Sequence, residues 1–182
     1  MNEIAASLIG AMRLFRRDAA GLQDFNMTED GFWRSFFAMA LAGPMAICTS
    51  LILSEPGNHA ASALIARNSA TLVLQWFAFV MLMYYFTLTI GLAHRFMHFV
   101  IVSNWCTVVA SGIILVPALF HVFGLTSRSL SLFAAFFLLI VMLSYYWFVA
   151  RETLETSGGV AASVVAIDFF LEFLIESMLG LH

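Results

Sequence analysis

The chain has 182 residues, of which 62% are hydrophobic and only 10% charged, with a formal net charge of −3 and a mean hydropathy of +0.95. Soluble domains are about half apolar and about a quarter charged, and a chain this short has no water-soluble core large enough for so much apolar surface. The composition therefore excludes an ordinary soluble domain, makes the lipid bilayer the expected solvent, and offers no basic patch for nucleic acid.

Taken in chain order, residues 3–17 read as an amphipathic helix within a cytoplasmic amino-terminal segment, 1–30. Ile4, Leu8, Ala11, Met12 and Phe15 recur on one face at helical spacing, with Glu3, Gly10, Arg13 and Arg17 on the other. The stretch is too short to span a bilayer, so its expected place is the membrane surface or a groove on the bundle. Its start, MNEIAASLIG, carries an acid where a signal peptide has a basic region, and no cleavable signal is expected. The polar hinge RRDAAGLQDFNMTEDGFWR follows. Thr28 is placed to cap a helix whose first turn holds Glu29 and Asp30, where the helix dipole favours acids. Trp33 and Arg34 stand at the mouth of the next apolar run, as an aromatic anchor and a snorkelling cation would.

Five apolar runs then make up a membrane domain, 31–182, at about 33–53, 71–93, 97–119, 130–150 and 160–180, each near the ~20 residues that cross a hydrocarbon core. The first connection, SEPGNHAASALIARNS, is the longest and most polar. The second is so short that the second and third spans form a tight antiparallel hairpin. The fourth, RETLETSGG, ends in two glycines suited to stopping a helix. Pro44 and Pro117 are expected to bend their spans, and the small residues around Gly112 to let helices approach closely. Trp147 and Arg151 read as a second pair of interface anchors. Cys48 and Cys106 read as small buried hydrophobes, with no CxxC spacing for a metal or a disulfide framework. Arg13, Arg16, Arg17, Arg34, Arg95 and Arg151 fall on one side of this topology, and Arg67 and Arg128 on the other. The positive-inside rule then places the amino terminus in the cytoplasm and the carboxy terminus in the periplasm.

The last run, VVAIDFFLEFLIESMLGLH, carries Asp168, Glu172 and Glu176 at intervals of four, with no arginine among them. Steps of four residues drift by about 40° each, so the three carboxylates share one stripe of about 80°. An ionised acid in mid-membrane costs roughly 2.5–3.5 kcal/mol on insertion scales. The stripe is therefore expected to face protein or water, or to carry protons. It reads equally as a docking face for a partner and as a path for protons or cations. An interfacial helix, or acids met by this chain's own histidines and arginines, is the plainer alternative. Possible polar partners are His94 and His98, which share a face if one helix holds both, and the hydroxyls of Tyr84 and Tyr85, which fall nearer mid-span. The two histidines lie at a span boundary with Arg95 between them, and no metal site is expected there.

These features resemble the Yip1-type membrane proteins, and in particular their small bacterial members. The stretches that carry the likeness are TEDGFWRSFFAMALAGP entering the first span, FVIVSNWCTVVASGIILVP in the third, and YYWFVARETLETSGGVAASVVAIDFFLEFLI across the last loop and span. The resemblance implies a cytoplasmic amino-terminal segment, five transmembrane helices, a bacterial inner-membrane location and action through protein contacts. The acids of the last span are not part of that pattern.

The sequence thus predicts an all-α, polytopic integral membrane bundle with an amino-terminal amphipathic helix. It contains no nucleophile–base arrangement and no phosphate loop, so no enzyme, catalytic residue, metal or cofactor is expected. The leading expectation is a small subunit or organiser of a membrane assembly, acting on protein or lipid in the bilayer as a homo-oligomer or within a larger complex. The alternative is a proton or cation channel or transporter that uses the acidic stripe.

Overall fold

A computed structural model of the chain describes residues 3–53 and 61–178. Among them there is no strand, and five helices are long and apolar enough to cross a membrane. The helices are α1 (Glu3–Phe15), α2 (Glu29–Ser35), α3 (Ala38–Leu53), α4 (Ala61–Thr89), α5 (Phe96–Val122), α6 (Arg128–Leu154) and α7 (Gly158–Met178). A 3-10 turn, Ala19–Asp24, follows α1, and a second, Ala93–Arg95, precedes α5.

The middle of the bundle is α5, which packs against α1, α2, α3, α4 and α6. Its run from Phe99 to Ala110 is buried almost throughout. This explains why its sequence is apolar all round rather than amphipathic. The last helix, α7, closes the bundle by packing on α4 and α6.

The first apolar run is not one straight helix. Thr28 caps α2 as expected, its hydroxyl accepting from Gly31 N–H at 3.1 Å. After α2, tight turns break the ladder: Phe36 N–H donates to Trp33 C=O at 3.4 Å and Phe37 N–H to Arg34 C=O at 3.0 Å. α3 then carries Pro44 in its interior.

The second run starts ten residues earlier than the sequence reading placed it and ends at Thr89 rather than 93. The stretch ASALIAR is rich in good helix formers. Its polar continuation is absorbed by the fold: Asn68 Nδ2 donates to Ser50 Oγ at 2.8 Å, tying α4 to α3. The polar residues at the front of that connection lie outside the described residues. At the same end, Arg128 donates to the Leu53 carbonyl at 2.8 Å. The two glycines after α6 do not stop it. Glu155 does so in a left-handed conformation, φ +48°, while Gly158 and Gly159 open α7.

The amino-terminal helix is docked on the bundle rather than set apart from it. Ser7, Gly10, Ala11 and Leu14 are buried, whereas Met12, assigned to the inner face, is exposed. The helix is therefore rotated relative to the apolar wheel, and Gly10 faces inward. The reason is a backbone crossing. A methyl group at Gly10 would lie 2.7 Å from the Gly21 carbonyl oxygen, and one at Gly21 would lie 2.6 Å from the Gly10 carbonyl oxygen. No such crossing occurs at Gly112, where the nearest atom to an added methyl, Met45 Sδ, is 3.8 Å away.

Polar contacts fasten the segment from several sides. Arg13 pairs with Asp18 and Asp24, each at 2.8 Å, and Arg34 with Glu3 at 2.8 Å. Arg17 reaches α6, where it bonds to the Ser144 backbone and hydroxyl. The Tyr145 hydroxyl donates to the Ala11 carbonyl at 2.8 Å.

Candidate functional site

The inner side of α7 is built from Ala161, Val164 and Ile175, which are buried. One helical turn beyond Val164 stands Asp168, half-buried, and one turn further Glu172, exposed at the rim. Both line a cavity of about 280 Å³ enclosed by α4, α5, α6 and α7. The spacing of four thus brings two of the three acids to one place, as expected. Glu176, four residues further on, is exposed and outside this wall.

Polar groups of three other helices face the same cavity: Gln75 of α4, Ser103, Asn104 and Thr107 of α5, and Tyr146 of α6. Part of this polarity is already committed. Asn104, buried, accepts from Trp76 Nε1 at 2.8 Å and donates from Nδ2 to Ser35 Oγ at 2.8 Å. Ser35 in turn donates to the Phe32 carbonyl at 2.7 Å. One asparagine thereby links α4, α5 and α2, and fixes the floor of the cavity. Thr107 donates to the Ser103 carbonyl at 3.0 Å.

The carboxylates are not matched in this way. Among the described residues, no arginine or histidine lines the cavity. Among the described residues, Asp168 and Glu172 form no hydrogen bond or ion pair. The other wall positions are apolar, and four of them are aromatic, Trp76, Phe79, Phe99 and Phe169, to which Tyr146 adds a fifth ring.

The remaining predicted residues lie elsewhere. Tyr84 and Tyr85 are in the last two turns of α4, exposed, with their rings edge to face at 5.5 Å. Tyr84 also packs on Phe96 at 5.4 Å. Neither lines the cavity of the stripe, and both lie near the carboxy-terminal end of α4, which stops at Thr89. His94 sits in the 3-10 turn and His98 in the first turn of α5, so one continuous helix does not hold both. No group of three metal-ligating side chains converges among the described residues.

Trp33 is 71% exposed, as an anchor would be, and Arg34 beside it pairs with Glu3. Trp147 ties α6 to the start of α7: its Nε1 donates to the Gly158 carbonyl at 2.9 Å, and Arg151 lies over its ring at 5.6 Å. Cys106 is buried as expected, but Cys48 is exposed on the outer side of α3.

Gln75, Asn104 and Tyr146 were missed by the sequence reading. A lone amide in each of LVLQWFAFV and VIVSNWCTV is a signal in its own right, since polar side chains inside apolar spans need partners. No family model, curated protein or solved structure matches the chain.

Proposed function

We propose that the chain is an integral membrane protein of a bacterial inner membrane that crosses the bilayer five times and takes up a cation in the cavity at Asp168 and Glu172. The five apolar helices support the membrane location. So do the large side chains on their outer faces: Phe133 is 67% exposed and Phe136 63%, surface that belongs in lipid rather than water. The arginine asymmetry supports a cytoplasmic amino terminus and a periplasmic carboxy terminus. The bacterial assignment rests on the resemblance to small Yip1-type chains.

The observation that carries the functional reading is the unmatched pair of carboxylates. Acids inside a membrane domain are costly, and by default they mark an ion or proton pathway or a ligand's counter-charge. Here two of them face a shared cavity to which the described residues supply hydroxyls and amides but no cation. The test is uptake into proteoliposomes. Proton or cation flux should be present in the wild-type chain and lost in the Asp168→Asn, Glu172→Gln double variant. Equal flux in both, or none in either, would remove this reading.

A second reading has its own support. Glu176 is exposed on α7 beside Phe173, 56% exposed, and none of the described residues covers it. A neighbouring helix with a basic or hydroxyl side chain would cover it. This favours a contact-based role in a homo-oligomer or a larger membrane assembly, as the Yip1-type resemblance implies. Glu176→Gln should then shift the size of the purified assembly, while the two cavity substitutions should not.

A further inference from the structure

We infer that the ligand of this cavity is an organic ammonium ion with an apolar body, held by Asp168 and Glu172 against an aromatic wall. The inference rests on the cation-uptake reading above and narrows its ligand. Three observations carry it. First, the lining is mainly apolar and includes the rings of Trp76, Phe79, Phe99, Tyr146 and Phe169. Ring faces attract a cation whose charge is spread over carbon, and they do so most strongly where water is excluded. Second, the donor set suits a small hard metal ion poorly. Calcium takes about 6–8 oxygen ligands in place of its hydration shell. Here Asn104 is committed to Trp76 and Ser35, and among the described residues only two carboxylates face inward. Third, the volume of about 280 Å³ lies at the lower edge of the ~300–1,000 Å³ typical of small-molecule sites. That is room for a compact organic ion.

A fourth observation concerns access. An apolar groove of about 370 Å³ runs between α6 and α7, lined by Trp147, Ala162, Ala166 and Phe170 among others. Leu143, Val165 and Phe169 belong to both the groove and the cavity. An apolar body resting in the groove is thus separated from the carboxylates by single side chains, of which Phe169 is the largest. This arrangement fits a ligand that partitions into the bilayer and enters sideways, with its charge meeting Asp168 and Glu172 on arrival.

The experiment uses the full chain in lipid nanodiscs and two probes of one shape, benzyltrimethylammonium and its uncharged carbon analogue neopentylbenzene. Calorimetric titration should give saturable binding of the ammonium and none of the neutral compound. Asp168→Asn with Glu172→Gln should weaken ammonium binding about tenfold or more, the scale of losing a hydrogen bond to a charged group. Phe169→Leu should weaken it about threefold, by removing a ring face. Equal affinity for the two probes, or ammonium binding unchanged in the double variant, overturns the inference. If the ammonium fails to bind while acid-dependent proton or rubidium uptake persists in proteoliposomes, the ligand class falls and the cation reading stands. If both signals are absent, both fall. The probe comparison on the wild-type chain keeps the test valid even where a variant folds poorly.

Discussion

The Tyr145 hydroxyl donates to the backbone carbonyl of Ala11 at 2.8 Å, across 134 residues of sequence, and its ring receives Phe15 edge to face at 5.4 Å. Tyr145 is 1% exposed. This contact decides whether the amino-terminal helix is part of the bundle or an appendage. Tyr145→Phe removes only the hydrogen bond and should lower stability by about 1 kcal/mol. Tyr145→Ala also removes the surface on which Phe15 rests and should cost about 3–5 kcal/mol, as other buried aromatic truncations do. Thermal unfolding in detergent, with tryptic cleavage at Arg13, Arg16 and Arg17 followed in parallel, distinguishes the two. Cleavage should rise sharply in the alanine variant and slightly in the phenylalanine variant. Equal cleavage in all three proteins would mean that the helix is held by other contacts.

The crossing of Gly10 and Gly21 makes a sharper prediction about the same helix. Either Gly10→Ala or Gly21→Ala drives a methyl group into a backbone carbonyl that has no side chain to move aside. Each should destabilise by about 1–3 kcal/mol, the range of overpacked sites. Gly112→Ala in the middle of α5 meets nothing closer than 3.8 Å and should be neutral or gain up to about 1 kcal/mol from helix propensity. The opposite ranking in melting temperature would show that the small residues of α5, and not those of the amino-terminal segment, carry the close packing.

The reading of the fold from sequence succeeded where a long run needed only one property. Length and apolarity identify five helices because a 20-residue apolar stretch has few other fates. The Thr28 cap is legible because its signal is local. Failures cluster where the deciding contact is distant. The helical wheel puts Gly10 on the polar face, and nothing near it in sequence reveals that Gly21 will cross it. Polarity hid the start of α4, since the partner that accommodates Asn68 is Ser50, on another helix.

The shift of α4 towards the amino terminus leaves Tyr84 and Tyr85 in its last two turns. The candidate site was half legible on the same grounds. Helical spacing put Asp168 and Glu172 together, but the groups that meet them from α4, α5 and α6 are set by packing. The third acid, Glu176, leaves the wall because the cavity has an end that spacing does not encode.

Protonation should matter for the amino-terminal clamp. The Arg13 guanidinium, bonded to Asp18 at 2.8 Å, holds the Asp18 carboxyl below its ordinary value of 3.8, helped by the Ala20 N–H at 3.0 Å. The same contacts with Asp18 and Asp24 raise the Arg13 value further, so the arginine stays charged throughout the working range. A depressed carboxyl contributes stability above its unfolded value and loses it as pH falls through the folded one. Asp18→Asn should therefore lower the melting temperature slightly near neutral pH, and the difference from wild type should shrink only below pH 3.8. Both groups are solvent-exposed, which keeps the effect small. A difference that disappears between about pH 6 and 7 would point to a histidine instead.

The crossing number and its direction can be tested together, because Ala20 and Leu125 lie on opposite sides of any odd number of spans. Ala20 is exposed in the 3-10 turn before α2, and Leu125 is 69% exposed in the turn between α5 and α6. Three of the five apolar helices separate them. In the proposed orientation the Ala20 side is cytoplasmic: Arg13, Arg16, Arg17 and Arg34 are near it in sequence, Arg95 sits in the α4–α5 turn and Arg151 in the last turn of α6, and the Arg95–Glu155 ion pair ties the α4–α5 and α6–α7 turns together. Cysteines placed singly at the two positions, in a Cys48→Ala background that leaves only buried Cys106, should react differently with an impermeant maleimide added to intact spheroplasts. Leu125→Cys should label at once, and Ala20→Cys only after lysis. The reverse pattern would invert the orientation and leave the five crossings intact. Labelling of both before lysis would mean that an even number of helices separates them, so that one of α3, α4 or α5 lies in the interface rather than across it. The two carboxylates would then face a cavity that opens to water at the membrane surface, where an acid costs little and implies no buried ligand.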